Sequence, residues 1–202
     1  MTQQIVAAFD FDGTITKRDT LVSFLTFAAG KWPAMKKFFL LTPEFINFLF
    51  NHDKRQETKE AVLTKFFKGL PYDQLQEMGD AFARSTALKN LIHPEALRRI
   101  EWHQKQKHRC ILISASIDIY LAPWCGLKRF DDLICSKLQV DEYGLVTGKL
   151  EGLNCWGPEK ERRLQELLGL RQNYTLYAYG DSRGDQELLS LADYPFFRKM
   201  PA

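Results

Sequence analysis

Residues 5–16, IVAAFDFDGTIT, decide how the chain folds. Ile5–Phe9 is a short apolar run, β-branched at its start and ended by polar residues, which predicts a buried strand. Asp10 and Asp12 follow, two apart around Phe11. In a continuing strand both would face one side, and carboxylates that close repel each other. Gly13 comes immediately after them, so the strand is expected to have ended, leaving the two side chains free to point different ways.

The same apolar signature recurs at Cys110–Ile113 within CILISAS, at Leu133–Cys135 and at Tyr174–Tyr179 (YTLYAY), and Tyr194–Phe197 (YPFF) adds a fifth candidate. Helical segments lie between these runs, which predicts an α/β fold with a Rossmann-like, mostly parallel sheet. Helix starts carry proline followed by an acid, residues that suit the first turn: TPEF at Thr42, HPEAL at His93 and GPEKERRLQELLG at Gly157. The last of these ends at Gly169, a C′ glycine, and sets Glu159 and Arg163 one turn apart, within pairing reach. The interval between the first strand and CILISAS is far longer than one crossover helix requires. Residues 17–90 are therefore expected to form an inserted α-helical cap, with 1–16 and 91–202 forming the core. A β-hairpin is expected at Lys137–Leu150, with its turn at Tyr143-Gly144.

The 202 residues suffice for one core of ordinary size plus an insertion. With 28 basic residues against 25 acidic, the net charge of +3 is too balanced to imply nucleic-acid binding. The four cysteines form no CxxC pair, so no metal knuckle is expected, and reduced thiols in a cytoplasmic setting are. The opening MTQQIVAAFD lacks the basic region of a signal peptide. No uncharged stretch reaches the roughly 18 residues of a spanning helix.

In an open parallel sheet, sites form beyond the carboxyl ends of the strands. Asp10 follows the first strand, Ser114 the second candidate, and Asp181, in YGDSRGDQELL, the YTLYAY strand, while Lys160 opens a helix between them. These residues fall on one rim. A divalent cation between the acids would remove much of their repulsion, and Mg²⁺ prefers one or two carboxylates plus waters and phosphate oxygens. Asp10 and Asp181 are the expected carboxylate ligands. Asp10 could then attack phosphorus, and Asp12 could exchange protons with the leaving oxygen and with water. Ser114 would donate a hydrogen bond to the phosphoryl group and Lys160 would offset its charge.

DFDGT after a strand, a serine closing ILIS, a downstream lysine and GDSRGD resemble the four motifs of haloacid dehalogenase-like phosphatases. The long insertion is similar to the subclass of that family with a helical cap after the first motif, which includes phosphoserine phosphatases. The resemblance covers almost the whole chain and implies a Mg²⁺-dependent phosphomonoester hydrolase working through a phosphoaspartate. It implies Asp10 as nucleophile and ligand, Asp12 as acid/base and main-chain ligand, Asp181 as ligand, and Asp185 as support behind the metal site. Ser114, Ala115, Lys160 and Asp19 form the implied substrate-binding set. Asp19 has a second reading, as a helix-start residue before TLVSFL, and the Ser116 hydroxyl has one as a helix cap. Phosphoserine phosphatases carry a cap arginine before a Leu-Pro; here Leu63 occupies that place, a departure that weighs against phosphoserine.

The insertion is strongly apolar in LVSFLTFAAGKWPAMKKFFLLTPEFINFLF, residues 21–50. Phe38, Leu41, Phe45 and Phe48 share one helical face, but Phe39, Ile46 and Phe50 fall elsewhere. Pro43 and Glu44 divide the run. These residues pack the cap or, alternatively, form a shallow interfacial hairpin with Lys31, Lys36 and Lys37 at lipid headgroups. Some relatives of this cap type resemble phosphatidylglycerophosphate phosphatases, so the partner is a small-molecule or a lipid phosphomonoester, the latter at the inner face of the membrane. Phosphotransfer to an alcohol through the same intermediate, and a silent membrane-peripheral binding module, are the rival functions. The basic stretch Arg98–Arg109 is expected as a solvated helix face, and none of the four histidines follows a strand of the sheet, so no role falls to them.

Overall fold

The computed structural model describes residues 3–31 and 55–201. Along the chain run β1 (Gln4–Phe9), α1 (Leu21–Lys31), α2 (Arg55–Phe67), α3 (Tyr72–Ala83), a short α4 (Thr86–Lys89), α5 (Pro94–Lys105), β2 (Arg109–Ile117), α6 (Asp118–Leu127), β3 (Asp132–Ser136), β4 (Leu138–Val140), β5 (Val146–Leu150), α7 (Pro158–Leu168), β6 (Tyr174–Gly180), α8 (Gln186–Leu191) and β7 (Tyr194–Phe197). Five strands form one sheet in the order β3-β2-β1-β6-β7, and every neighbouring pair is parallel. β4 and β5 pair antiparallel as a separate hairpin.

β1 is apolar on both sides because it is buried on both sides. Val6 and Ala8 face one layer, with Ile111, Ile113 and Leu176, beneath Leu164 of α7 and Leu188 of α8. Ala7 and Phe9 face the other, with Leu112 and Tyr179, beneath α5 and α6. The chain leaves central β1 toward β2 and β3 and later returns to its opposite flank as β6. That reversal of direction opens a crevice at the carboxyl ends of the strands.

Helices α1 to α3 add to the second layer. Leu21, Phe24, Leu25 and Ala28 of α1 are buried at i, i+3, i+4 and i+7 spacing, and Phe24 meets Phe67, Phe82 and Tyr120. The apolar face of this first part of the run thus packs inward. The expectations for Phe38, Leu41, Phe45 and Phe48, for TPEF and for Lys36 and Lys37 lie outside the described residues. Among the described residues no helix is long and apolar enough to cross a membrane. Gly79 lets α3 dock tightly on α6, since a Cβ there would lie 2.1 Å from the Ile119 carbonyl oxygen. One face of α2 is stitched to the outer edge of β5 and the loop after it: Glu60 accepts from Leu150 N at 3.2 Å, Gln56 from Asn154 N at 3.1 Å, and Thr64 donates to Gly148 O at 3.3 Å.

The expected helix starts at Pro94 and Pro158 are present, and the Glu159–Arg163 pair forms at 2.6 Å. All four cysteines are free and buried. The expectation for Arg98–Arg109 needs correction. Ala96, Arg99, Ile100 and His103 form the inward stripe of α5, and His103 is fully buried. Polar residues are tolerated there because Tyr179 of β6 satisfies them. Arg99 Nε donates to the Tyr179 hydroxyl at 2.7 Å, and His103 Nε2 meets the same hydroxyl at 2.8 Å. His103 Nδ1 in turn meets His108 Nδ1 at 2.8 Å.

Burial, with the charge of Arg99 and the proximity of His108, pushes His103 down to about 3. The unfolded chain takes up this proton near pH 6.5, so the stabilising contribution is complete above that value and is lost as pH falls below it. Each unit further down costs up to about 1.4 kcal/mol. His103→Gln should lower the urea midpoint at pH 7, and its gap from wild type should narrow between pH 7 and pH 5, as the unfolded wild-type chain takes up the His103 proton.

Candidate active site

The crevice holds a cleft of about 460 Å³ whose walls include Asp10, Asp12, Ser114, Ala115, Lys160 and Asp181. The sheet places them. Asp10 follows the last residue of β1, and its N–H still donates to Tyr179 O at 2.9 Å, so the ladder fixes its backbone. Asp181 follows the last residue of β6, the strand beside it. Ser114 lies inside β2, which runs further than expected, to Ile117. The β2–β3 register breaks between Ser114 and Ile117, freeing that backbone from regular pairing. Lys160 sits in the first turn of α7, started by Pro158.

Lys160 is buried, and its Nζ donates to Asp10 Oδ1 and to Asp185 Oδ1, each at 2.6 Å. Burial alone would lower its pKa, but Asp10 and Asp185 outweigh that and raise it, so it stays an ammonium. One ammonium cannot balance the acids around it. Burial pushes Asp10 up to about 8 in spite of Lys160, with Asp185 adding to the rise. Burial and the charge of Asp185 raise Asp181 as well. Asp185 goes the other way: burial opposes ionisation, but Lys160 and Ser182 overcome it and hold the pKa down.

Oxygens of Asp10, Asp181 and Asp185 all lie within 4.8 Å of one another, a donor set for a hard divalent cation. Asp185 is already saturated. Its Oδ1 takes Lys160, and its Oδ2 takes Ser182 N at 3.0 Å, Ser182 Oγ at 2.8 Å and Asp181 N at 3.2 Å. Asp10 and Asp181 remain, two carboxylates that both line the cleft. This pair fits Mg²⁺, with Asp185 fixing Lys160 and the Asp181 backbone behind it. Gly13 has φ +82°, and a Cβ there would lie 2.3 Å from Asp181 Oδ2, so only glycine lets the first motif approach the last this closely.

Asp12 points elsewhere, as the break at Gly13 predicts. Its Oδ1 accepts from Thr20 N at 2.8 Å and from Thr20 Oγ1 at 2.6 Å, and its Oδ2 accepts from Ser116 Oγ. Burial, then the charge of Asp19, pushes it up to about 7, while the bonds from Ser116 and Thr20 pull down. Both its oxygens being engaged, a metal contact from Asp12 would have to come from its main chain. Asp19 lies exposed at the rim, where its carboxylate accepts from Leu21 N at 2.8 Å; it caps α1 and also lines the cleft.

Ser116 is buried and bonded to Asp12, while the residue before α6 makes no side-chain cap, so the helix-cap reading of Ser116 is set aside. Lys59 is absent from the sequence expectation. It is buried, lines the cleft, and donates to Ala115 O at 2.5 Å and Asn154 Oδ1 at 2.7 Å. Burial lowers it to about 8, with Asp19 and Asp12 pulling the other way. Leu63, one turn further along α2, is fully buried in the apolar core. A signal for Lys59 was present: with Val62, Leu63, Phe66 and Phe67 it continues one buried helical stripe.

The family model for haloacid dehalogenase-like hydrolases matches residues 7–190, and the chain belongs to that family. Among its relatives, Protein CicA of Caulobacter vibrioides is 34% identical over 99% of this chain and 90% of its own length. A 2-hydroxy-3-keto-5-methylthiopentenyl-1-phosphate phosphatase of Geobacillus kaustophilus is 26% identical over 98% of this chain and 84% of its own. Among solved structures, a Bordetella pertussis protein of unknown function superimposes with a TM-score of 0.79 at 21% identity, covering 97% of this chain and 90% of that one. A phosphoserine phosphatase solved as a phospho-aspartyl intermediate analogue gives 0.56 at 19% identity, covering 95% and 84%. The chain is thus a hydrolase with the α/β fold that the phosphoserine phosphatases share.

Proposed function

We propose that the protein is a Mg²⁺-dependent phosphomonoester hydrolase that works through a phosphoaspartate on Asp10. The observation that carries this is the meeting of Asp10, Asp181 and Lys160 in one cleft at the ends of adjacent central strands, with Asp12 held apart on its own donors. Family membership and the phosphatase relative from Geobacillus support the reaction class.

Asp10 attacks phosphorus, and the phosphorus–oxygen bond to the alcohol breaks as the carboxylate–phosphorus bond forms. Asp12 gives its proton to the departing alkoxide and then takes one from the water that hydrolyses the phosphoaspartate, releasing inorganic phosphate. Lys160 and the Ser114 hydroxyl stabilise the charge on the transferring group. Mg²⁺ held by Asp10 and Asp181 would keep both carboxylates ionised and draw charge from the phosphoryl oxygens. The described helices of the insertion act as a cap whose Leu21, Val22 and Lys59 shape the leaving-group side of the cleft. That wall suits a small-molecule phosphomonoester with both apolar and polar parts.

Hydrolysis of p-nitrophenyl phosphate tests this. Activity is expected with Mg²⁺, falling to background with EDTA and returning when Mg²⁺ is restored in excess. Undiminished activity in EDTA would remove the metal from the account.

A further inference from the structure

We propose that Tyr120 is a positioning residue for the acid/base Asp12, acting through the hydroxyl of Ser116. The inference rests on the phosphatase reading above. Tyr120 lies on α6, is fully buried, and is not among the residues lining the cleft. Its hydroxyl donates to Ser116 Oγ at 2.8 Å and lies 3.2 Å from Thr20 Oγ1.

With Asp12 ionised, a count of protons fixes the directions. Each hydroxyl carries one. The Tyr120 proton goes to Ser116, so the Ser116 proton is left for Asp12 Oδ2. Thr20 Oγ1 has the shorter contact to Asp12 Oδ1, at 2.6 Å, and gives its proton there rather than to Tyr120. The result is an ordered chain, Tyr120 to Ser116 to Asp12, closed on the other oxygen by Thr20. Both oxygens of Asp12 are thereby gripped, and the carboxyl plane is fixed relative to the cleft.

The far end of the chain is anchored by the inserted helices. The Tyr120 ring lies 5.0 Å from the ring of Phe24 on α1 and 5.5 Å from that of Phe82 on α3. Thr20, the other clamp, immediately precedes α1. The helices that wall the leaving-group side therefore also set the direction of the proton donor. Without the phenol, the Ser116 proton is no longer committed and the Asp12 carboxyl can swing.

The consequence is selective. Protonation matters most when the leaving oxygen is a poor leaving group. Phenyl phosphate and p-nitrophenyl phosphate share the phosphoryl group and differ in this respect. Their kcat/KM values report the first half-reaction, before the shared hydrolysis of the phosphoaspartate. Tyr120→Phe keeps the ring and its packing. It should lower kcat/KM about tenfold for phenyl phosphate and less than about threefold for p-nitrophenyl phosphate. Ser116→Ala should give the same pattern, and the double variant should be no worse than Ser116→Ala alone, because the two act in series. Equal losses on both substrates, or losses that multiply in the double variant, would overturn the proposal while leaving the phosphatase reading standing. A wild-type protein with Mg²⁺ that hydrolyses neither ester would remove that reading and this inference with it.

Discussion

Asp10→Asn is expected to lower phosphomonoester turnover by at least about 10⁴-fold. The amide is nearly isosteric, so the cleft keeps its shape. It cannot form the bond to phosphorus, and the loss therefore appears in kcat for every substrate. The fold should not suffer. Asp10 is one of several acids sharing one ammonium, and burial already disfavours its charge. Removing that charge relieves repulsion with Asp185, so the urea midpoint should stay level or rise. Asp10→Asn that unfolds the protein would show that the carboxylate is structural.

Lys160→Met is expected to damage both activity and stability. Its Nζ bridges Asp10 and Asp185, all three side chains being buried. Taking one partner out of a buried ion pair costs about 3–5 kcal/mol, because the remaining charge is left without compensation. Here two carboxylates would be left facing each other. The sign with pH follows. In the variant both groups bind protons more readily when folded, so the penalty is largest at high pH and shrinks as they protonate. Urea denaturation at pH 8 and pH 5 checks this: the gap from wild type should be wide at pH 8 and clearly narrower at pH 5. A gap independent of pH would mean that lost packing, not stranded charge, is the cause.

The centre of the sheet was legible because β1 and β2 carry short apolar runs without alternation, which implies burial on both faces; β6 showed itself by alternating aromatic residues, and β7, a largely exposed edge strand, left only the YPFF signal. Asp10, Ser114, Lys160 and Asp181 were legible because they stand at fixed places relative to those strands, and the sheet then gathers them. Asp185 was readable both as a helix-start residue and as support for the site. Its contacts serve both readings: it closes a capping box with Ser182 and accepts from Lys160.

The residues that escaped notice share one property: their partners are far away in sequence. Tyr120 and Thr20 are 100 positions apart, Lys59 and Asn154 are 95 apart, and Arg99 and Tyr179 are 80 apart. The adjacent Thr58 and Glu60 do not say that Lys59 turns inward, and a basic stretch does not say that His103 meets a tyrosine. A weaker clue existed in both cases. Lys59 and His103 continue stripes that are otherwise largely apolar, and a polar residue on a buried stripe needs a partner supplied by the tertiary fold.

Trapping the intermediate tests the central claim most directly. Wild-type protein mixed with Mg²⁺ and p-nitrophenyl phosphate, quenched during turnover and treated with borohydride, should carry homoserine in place of Asp10, read by peptide mass spectrometry. The Asp10→Asn variant should show no reduction anywhere. Reduction at another carboxylate, or rapid turnover with no reducible residue in the peptide carrying Asp10, would contradict the account.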